Sequence, residues 1–154
     1  MTNTKYQPGG YHTITPYLNI KDAPGFIEFA KRVFGAEITE RIDGPGGSIM
    51  HAEIRIGDSV VMLSEACEQR GPMPSSLYVY VDDMNSVYKR AVEAGAKPEM
   101  PPADMFWGDR FGNVTDAWGI QWSIATHVED VSPDELKKRA EAFAKQMAAG
   151  GGPG

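Results

Sequence analysis

Cysteine is nearly absent from this chain of 154 residues: Cys67 is the only one. A lone thiol cannot close a disulfide within the chain, and a free thiol suits a reducing compartment, so a cytoplasmic location is the expectation. Basic residues are outnumbered, with 15 Lys and Arg against 21 Asp and Glu and a net charge of −6. No Lys/Arg stripe is present, so a nucleic-acid partner is not expected. Long apolar runs are missing too. Nothing approaches the roughly 18–20 residues of a membrane-spanning helix, and Met1 to Tyr6 carry no apolar core of the secretory kind. Nothing after Gly44-Pro45-Gly46-Gly47 continues as a phosphate-binding loop with Lys and Ser or Thr. What remains is ordinary for a globular protein, 42% hydrophobic and 23% charged. The length suits one domain of about 100–200 residues.

A repeat organises that domain. Tyr17-Leu18-Asn19-Ile20-Lys21-Asp22 and Tyr78-Val79-Tyr80-Val81-Asp82-Asp83 share one order of aromatic, aliphatic and polar residues, 61 positions apart (22 to 83). Phe34-Gly35-Ala36 and Ala94-Gly95-Ala96 keep nearly the same spacing, as do Gly57 and Gly119. Each copy reads as a strand, a helix and three strands. Asp22 and Asp83 are placed as N-caps, and Gly35 and Gly95 as the glycines that end the helices. Phe26, Ile27, Ala30 and Phe34 form one helical stripe, and Val87, Ala91 and Ala94 another. The expected strands are about 14–20, 37–42, 48–56 and 59–64, then 77–81, 97–100, 111–116 and 121–126. Module one spans about 10–70 and module two about 75–128. Ser132-Pro133-Asp134-Glu135 opens a last helix, about 132–148, with Leu136, Ala140, Phe143 and Met147 on one face. That helix is a packing element or a dimer contact or lid. A glycine-rich flexible tail at 149–154 closes the chain.

Side chains alternate across a strand, and helices must cover an apolar face. Leu18, Ile20, Leu77, Val79, Val81, Met50, Ala52, Ile54 and Ile56 suit the covered side. The opposite side then carries Thr15, Tyr17 and Asn19; Ser76, Tyr78 and Tyr80; and His51, Glu53 and Arg55. The repeat sets Asn113 and Thr115 opposite His51 and Glu53, and Met62 and Ser64 opposite Ser123 and Ala125. A face so mixed fits an α+β fold whose curled sheet lines a cavity for a small molecule.

Several stretches resemble the vicinal oxygen chelate superfamily of glyoxalase I, extradiol dioxygenases and bleomycin-resistance proteins, and within it the PhnB-type branch. They are Pro16-Tyr17-Leu18, Phe34-Gly35-Ala36-Glu37, Ile49-Met50-His51-Ala52-Glu53, Phe106-Trp107-Gly108-Asp109-Arg110-Phe111-Gly112, and Asp116-Ala117-Trp118-Gly119-Ile120-Gln121-Trp122-Ser123-Ile124. The resemblance covers about residues 10–128 and implies two βαβββ modules. It also implies a homodimer, since family members commonly pair modules across subunits. Ala117 departs from the Pro the family commonly has there. The resemblance further places the metal ligands of the metal-using members at Thr15, Met62, Ser76 and Ser123. Hydroxyls and a thioether are poor ligands for a divalent ion, and the glyoxalase reaction needs one. The expectation is therefore no metal and no other cofactor, and a protein that is not a glyoxalase I.

His51 and Glu53 lie two apart on one strand and are the candidate catalytic pair. They read as a general acid–base couple, as two ligands of a relocated metal site, or as a polar cluster that shapes the pocket. Trp107 is placed to stack on a planar ligand and Arg110 to clamp an anion; alternatively, Arg110 bridges a carboxylate and fixes the loop. Tyr17, Tyr78 and Tyr80 form an aromatic wall, with Asn113 and Ser123 as further ligand-binding candidates. Both functions stay open at this point: a small-molecule binder, or a lyase, isomerase or dioxygenase-like enzyme. Cys67 lacks a base nearby in sequence, and His12 and His127 read as end-of-strand residues.

Overall fold

The computed structural model describes residues 4–150. The chain divides into two compact units, Met1–Ser75 and Ser76–Gly154. Each contains one strand-helix-strand-strand-strand module, as the repeat requires. The last four residues of the expected tail, 151–154, and the first three of the opening segment, 1–3, lie outside the described residues.

The first unit runs β1 (Tyr17–Ile20), α1 (Ala23–Phe34), β2 (Glu37–Asp43), β3 (Ile49–Ile56) and β4 (Ser59–Glu65). Its sheet has the order β1-β4-β3-β2. β1 lies parallel to β4, and the other pairs are antiparallel. α1 starts where two carboxylates meet its orphan N–H groups. Asp22 Oδ1 accepts from Gly25 N, and the Glu65 carboxylate accepts from Asp22 N and Ala23 N at 2.8 Å each. Anions at a helix N-terminus are favoured by the exposed N–H groups and the helix dipole. Asp22 adopts a left-handed backbone (φ 69°), which short polar residues tolerate better than most. α1 buries Phe26, Ile27, Phe29, Ala30 and Val33 over Ala52, Ile54 and Leu63, each large side chain contributing about 1.5–3 kcal/mol. Met50, expected on this face, is instead exposed. The β2–β3 ladder steps from Ile42–His51 to Asp43–Ile49, so Met50 falls at a bulge and Ile49 takes the buried place. β1 starts three residues later than expected, leaving Ile14 and Thr15 ahead of the strand.

The second unit runs β5 (Ser75–Tyr80), α2 (Met84–Glu93), β6 (Lys97–Asp104), β7 (Asp109–Thr115) and β8 (Ile120–His127), then α3 (Pro133–Ala148). The order is β5-β8-β7-β6. β6 is longer than expected and carries Pro98, Pro101 and Pro102. It sits at a sheet edge, where missing N–H donors are tolerated, and its pairing with β7 steps at Pro98/Met100 and Met100/Ala103. α2 covers the face of Gly112 and Val114. A Cβ at Gly112 would stand 3.0 Å from the Tyr88 ring of α2, so the helix lies close there because residue 112 has no side chain. The β7–β8 turn is built by Asp116. Its carboxylate accepts from Trp118 N, Ile120 N and Trp122 Nε1 at 2.8–2.9 Å. Burial still pushes that carboxyl above its usual range.

α3 begins with half of the expected reciprocal cap. Ser132 Oγ accepts from Glu135 N, but the Glu135 carboxylate turns to Arg139. No residue of α3 is buried. Of its expected apolar face, Phe143 touches the Phe106 ring, while Leu136 and Met147 are exposed.

Candidate functional site

In the first unit, the face turned from α1 carries Tyr17, Met62, Glu53 and His51. Tyr17 pairs with Met62, and Met62 with Glu53. Glu53 is 4% exposed. Its Oε2 accepts from Tyr11 Oη at 2.6 Å, and its Oε1 lies 3.6 Å from His51 Nε2. His51 Nδ1 lies 3.3 Å from Tyr17 Oη. Four titratable groups thus form a line: Tyr11, Glu53, His51, Tyr17. Burial pushes the Glu53 carboxyl up, but the hydrogen bond from Tyr11 and the further bonds around it prevail, and it ends below its usual value. The bond to Glu53 pushes the Tyr11 hydroxyl up in turn. Ser64 Oγ, on the same face of β4, is buried without a partner.

The second unit gathers more. Asp109, Phe111 and Asn113 alternate onto the face of β7 turned from α2. Asp109 is 1% exposed. Its Oδ2 accepts from Tyr78 Oη at 2.6 Å, Tyr80 Oη at 3.0 Å and Trp107 Nε1 at 3.2 Å. Its Oδ1 lies 2.9 Å from His127 Nδ1, and His127 Nε2 lies 2.7 Å from Asp130 Oδ1. Both ring nitrogens therefore face carboxylate oxygens, which an imidazolium alone satisfies. The bond to Asp109, then that to Asp130, holds the His127 ring above its usual value. Burial raises the Asp109 carboxyl, but the bonds from Tyr78, His127, Tyr80 and Trp107 together outweigh it. Tyr78 is pushed up by burial and then by Asp109, and Tyr80 first by Asp109. Tyr78 stacks on Phe111 with ring centres 5.7 Å apart and meets Tyr80 at 5.2 Å; Trp107 stands edge-on to Phe111 at 5.8 Å. Asn113 is buried, pairs with Ser123, and its Oδ1 has no hydrogen-bond donor.

Of the residues singled out in the sequence, Tyr78, Tyr80, Trp107, Asn113 and Ser123 share this face, and His51, Glu53 and Tyr17 share the face of the first unit. Arg110 does not join them. β7 begins at Asp109, so alternation sends Arg110 to the α2 side, where it bonds Asn85 Oδ1 at 3.0 Å and Asp104 at 3.2 Å. Residues that sequence reasoning passed over are Asp109 as an acceptor hub, His127 and Tyr11. The parity of Asp109 with Phe111 was a usable signal; Tyr11 lies outside every element and offered none. The register also revises the internal correspondence. Met62 faces Glu53, and Ser123 faces Asn113, so Asn113 is the counterpart of Glu53 rather than of His51.

These features define a two-module βαβββ protein with one aromatic, carboxylate-centred strand face in each unit. The chain belongs to the Glyoxalase/Bleomycin resistance protein/Dioxygenase superfamily, whose family model matches residues 10–124. An uncharacterized protein of Mycobacterium bovis is 33% identical over 135 residues, 80% of this chain and 89% of its own. TioX from Micromonospora is similar in structure with a TM-score of 0.64 at 27% identity, covering 76% of this chain and 99% of its own. TnmS3, an antibiotic binding protein from Streptomyces, shares the fold with a TM-score of 0.61 at 18% identity, covering 75% and 95%. No helix among the described residues is long and apolar enough to cross a membrane.

The metal of the metal-using family members does not fit the residues here. Thr15 precedes β1 and its hydroxyl donates to His12 O. Ser76 Oγ donates to Gln121 Oε1 at 3.5 Å. With Met62 in the first unit and Ser123 in the second, each unit offers two neutral donors, and neither pair suits a hard or borderline divalent ion.

Proposed function

We propose that this chain binds a small organic molecule on the aromatic strand face of its second unit, without the family's divalent metal and not as a glyoxalase I. One observation carries the reading: Tyr78, Tyr80, Trp107 and Phe111 assemble around buried Asp109, and the buried Asn113 carbonyl oxygen beside them lacks a donor. Binding sites combine apolar walls with a few oriented polar groups in this way. The fold shared with TnmS3, an antibiotic binding protein, supports the same reading at the level of fold. A cytoplasmic homodimer is part of the proposal; the lone free thiol of Cys67 supports the location. Native mass spectrometry of freshly purified protein reads retained ligand, metal and oligomer together. A stoichiometric transition metal that is lost in Ser123→Ala overturns the metal-free reading. Retained organic ligand that survives Trp107→Ala overturns the placement.

A second reading rests on the Tyr11–Glu53–His51–Tyr17 line. A histidine between a buried carboxylate and a phenol is equipped to move a proton, which suits a lyase or isomerase step. Under that reading His51→Ala abolishes turnover while leaving the fold intact, and unchanged turnover removes it.

A further inference from the structure

Every hydrogen-bond donor around Asp109 is already committed. The hydroxyl protons of Tyr78 and Tyr80 point at Asp109 Oδ2, and the indole N–H of Trp107 is shared between Asp109 Oδ2 and Tyr78 Oη at 3.2 Å each. His127 spends both ring N–H groups on Asp109 and Asp130. Arg139 of α3 is held by Glu129, Glu135 and the Phe106 carbonyl. Arg110 faces the helix side. A ligand on this face therefore meets the Tyr80 phenol oxygen, the exposed rings of Tyr78 and Tyr80 and, beside them, the unpaired carbonyl oxygen of buried Asn113. A hydroxyl that donates to a carboxylate becomes a better acceptor, because hydrogen bonds in a chain polarise one another. Ring faces attract cations. The two carboxylates, Asp109 and Asp130, outnumber the single imidazolium between them, and the whole chain carries −6.

Resting on the reading above, we propose that the ligand class of this face is a planar organic cation bearing N–H donors, such as a protonated heteroaromatic amine, and that anionic analogues are rejected. The cation lies over the exposed Tyr78 and Tyr80 rings, and an N–H group reaches the Asn113 carbonyl oxygen. Asn113 thus becomes a specificity-determining residue, because a buried acceptor without a donor costs its full desolvation unless the ligand supplies one.

The test uses two probes on one ring system, 9-aminoacridine and acridine-9-carboxylate, titrated into the full-length protein and followed by calorimetry and Trp fluorescence. The expected result is binding of 9-aminoacridine at least about tenfold tighter than the carboxylate. Asn113→Leu and Tyr80→Phe should each weaken the aminoacridine by about five- to tenfold, while Arg110→Ala changes neither probe. Circular dichroism of each variant checks that the fold is kept. Should Asn113→Leu fail to fold, Tyr80→Phe, which keeps the ring, decides alone. Tighter binding of the carboxylate, lost in Trp107→Ala, overturns the cation preference and leaves the small-molecule reading standing. Aminoacridine binding indifferent to Asn113→Leu and Tyr80→Phe overturns the assignment of the face. Neither probe binding up to roughly 1 mM overturns this inference; if native mass spectrometry also finds no retained ligand, the underlying reading falls with it.

Discussion

Glu53 in the first unit and Asp109 in the second are both carboxylates almost closed to solvent, each on the strand face turned from its module's helix, but their surroundings differ. Glu53 has one short donor, Tyr11, and a histidine at the longer distance of 3.6 Å. Asp109 has four partners within 3.2 Å, three of them on one oxygen. Burial opposes the charge in both, and hydrogen bonding wins in both. The first arrangement holds His51 by longer contacts, 3.6 Å to Glu53 and 3.3 Å to Tyr17. The second locks its histidine between two carboxylates and fixes its rings in place. The two modules thus differ in how tightly they fix these side chains, although both follow one element order.

The largest expected effect tests the locking of the second unit. Gly108 has φ +102°, and a Cβ there would overlap the Glu129 carbonyl oxygen. Its own carbonyl accepts from Val128 N and Glu129 N, tying the start of β7 to the segment leading into α3. Gly108→Ala should cost about 3–4 kcal/mol, measured by urea unfolding; a loss under about 1 kcal/mol would show that this segment yields easily. Next comes Asp109→Ala, which takes the shared acceptor from Tyr78, Tyr80 and His127 at once and should cost on the order of 3 kcal/mol. Glu53→Gln keeps shape and one acceptor, so a loss of about 1–2 kcal/mol is expected in the same assay. A Glu53 effect equal to that of Asp109 would erase the contrast between the units.

The pH dependence sharpens it further. Glu53 and Asp109 are held below their ordinary values of 4.5 and 3.8. Their stabilisation is complete above those values and is lost as pH falls through the lower folded ones. His127 is held above 6.5, so its contribution is complete below 6.5 and is lost as pH rises through the higher folded value. Unfolding curves from about pH 3 to 9 should therefore show an alkaline decline that His127→Asn removes, and an acid decline that it leaves. The smallest effect belongs to the first unit's helix start. Glu65→Gln weakens the bonds to Asp22 N and Ala23 N and should cost about 1 kcal/mol, read from the melting temperature.

Much of this molecule was legible in its sequence. Asp22 and Asp83 cap helices where their spacing places them, and Phe26, Ile27 and Ala30 bury the face that a period of 3.6 selects. Tyr78 and Tyr80 were assigned to one strand face by a period of two, Asn113 and Ser123 by the repeat, and all four occupy it. Failures came where that period was interrupted or its start misplaced. Met50 falls at a bulge, so alternation assigned it the wrong environment. Arg110 was placed ahead of the strand and read as an anion clamp or a carboxylate bridge; β7 already starts at Asp109, one position of parity turns the side chain to the other face, and there it makes the bridge, to Asp104. The β7–β8 connection from Thr115 to Gln121 is one residue longer than the β3–β4 connection from Arg55 to Val60, which moved Asn113 from the His51 row to the Glu53 row.

The amino-acid sequence by itself determined the two modules, their helices and the aromatic character of the exposed strand faces, because these depend on local period, caps and turns. Only the tertiary structure decided that Asp109 gathers Tyr78, Tyr80, Trp107 and His127, partners spread from position 78 to 127. Such partners meet through strand order and register, which are set by hydrogen bonds between distant segments and by the length of each turn, and no local pattern carries that information.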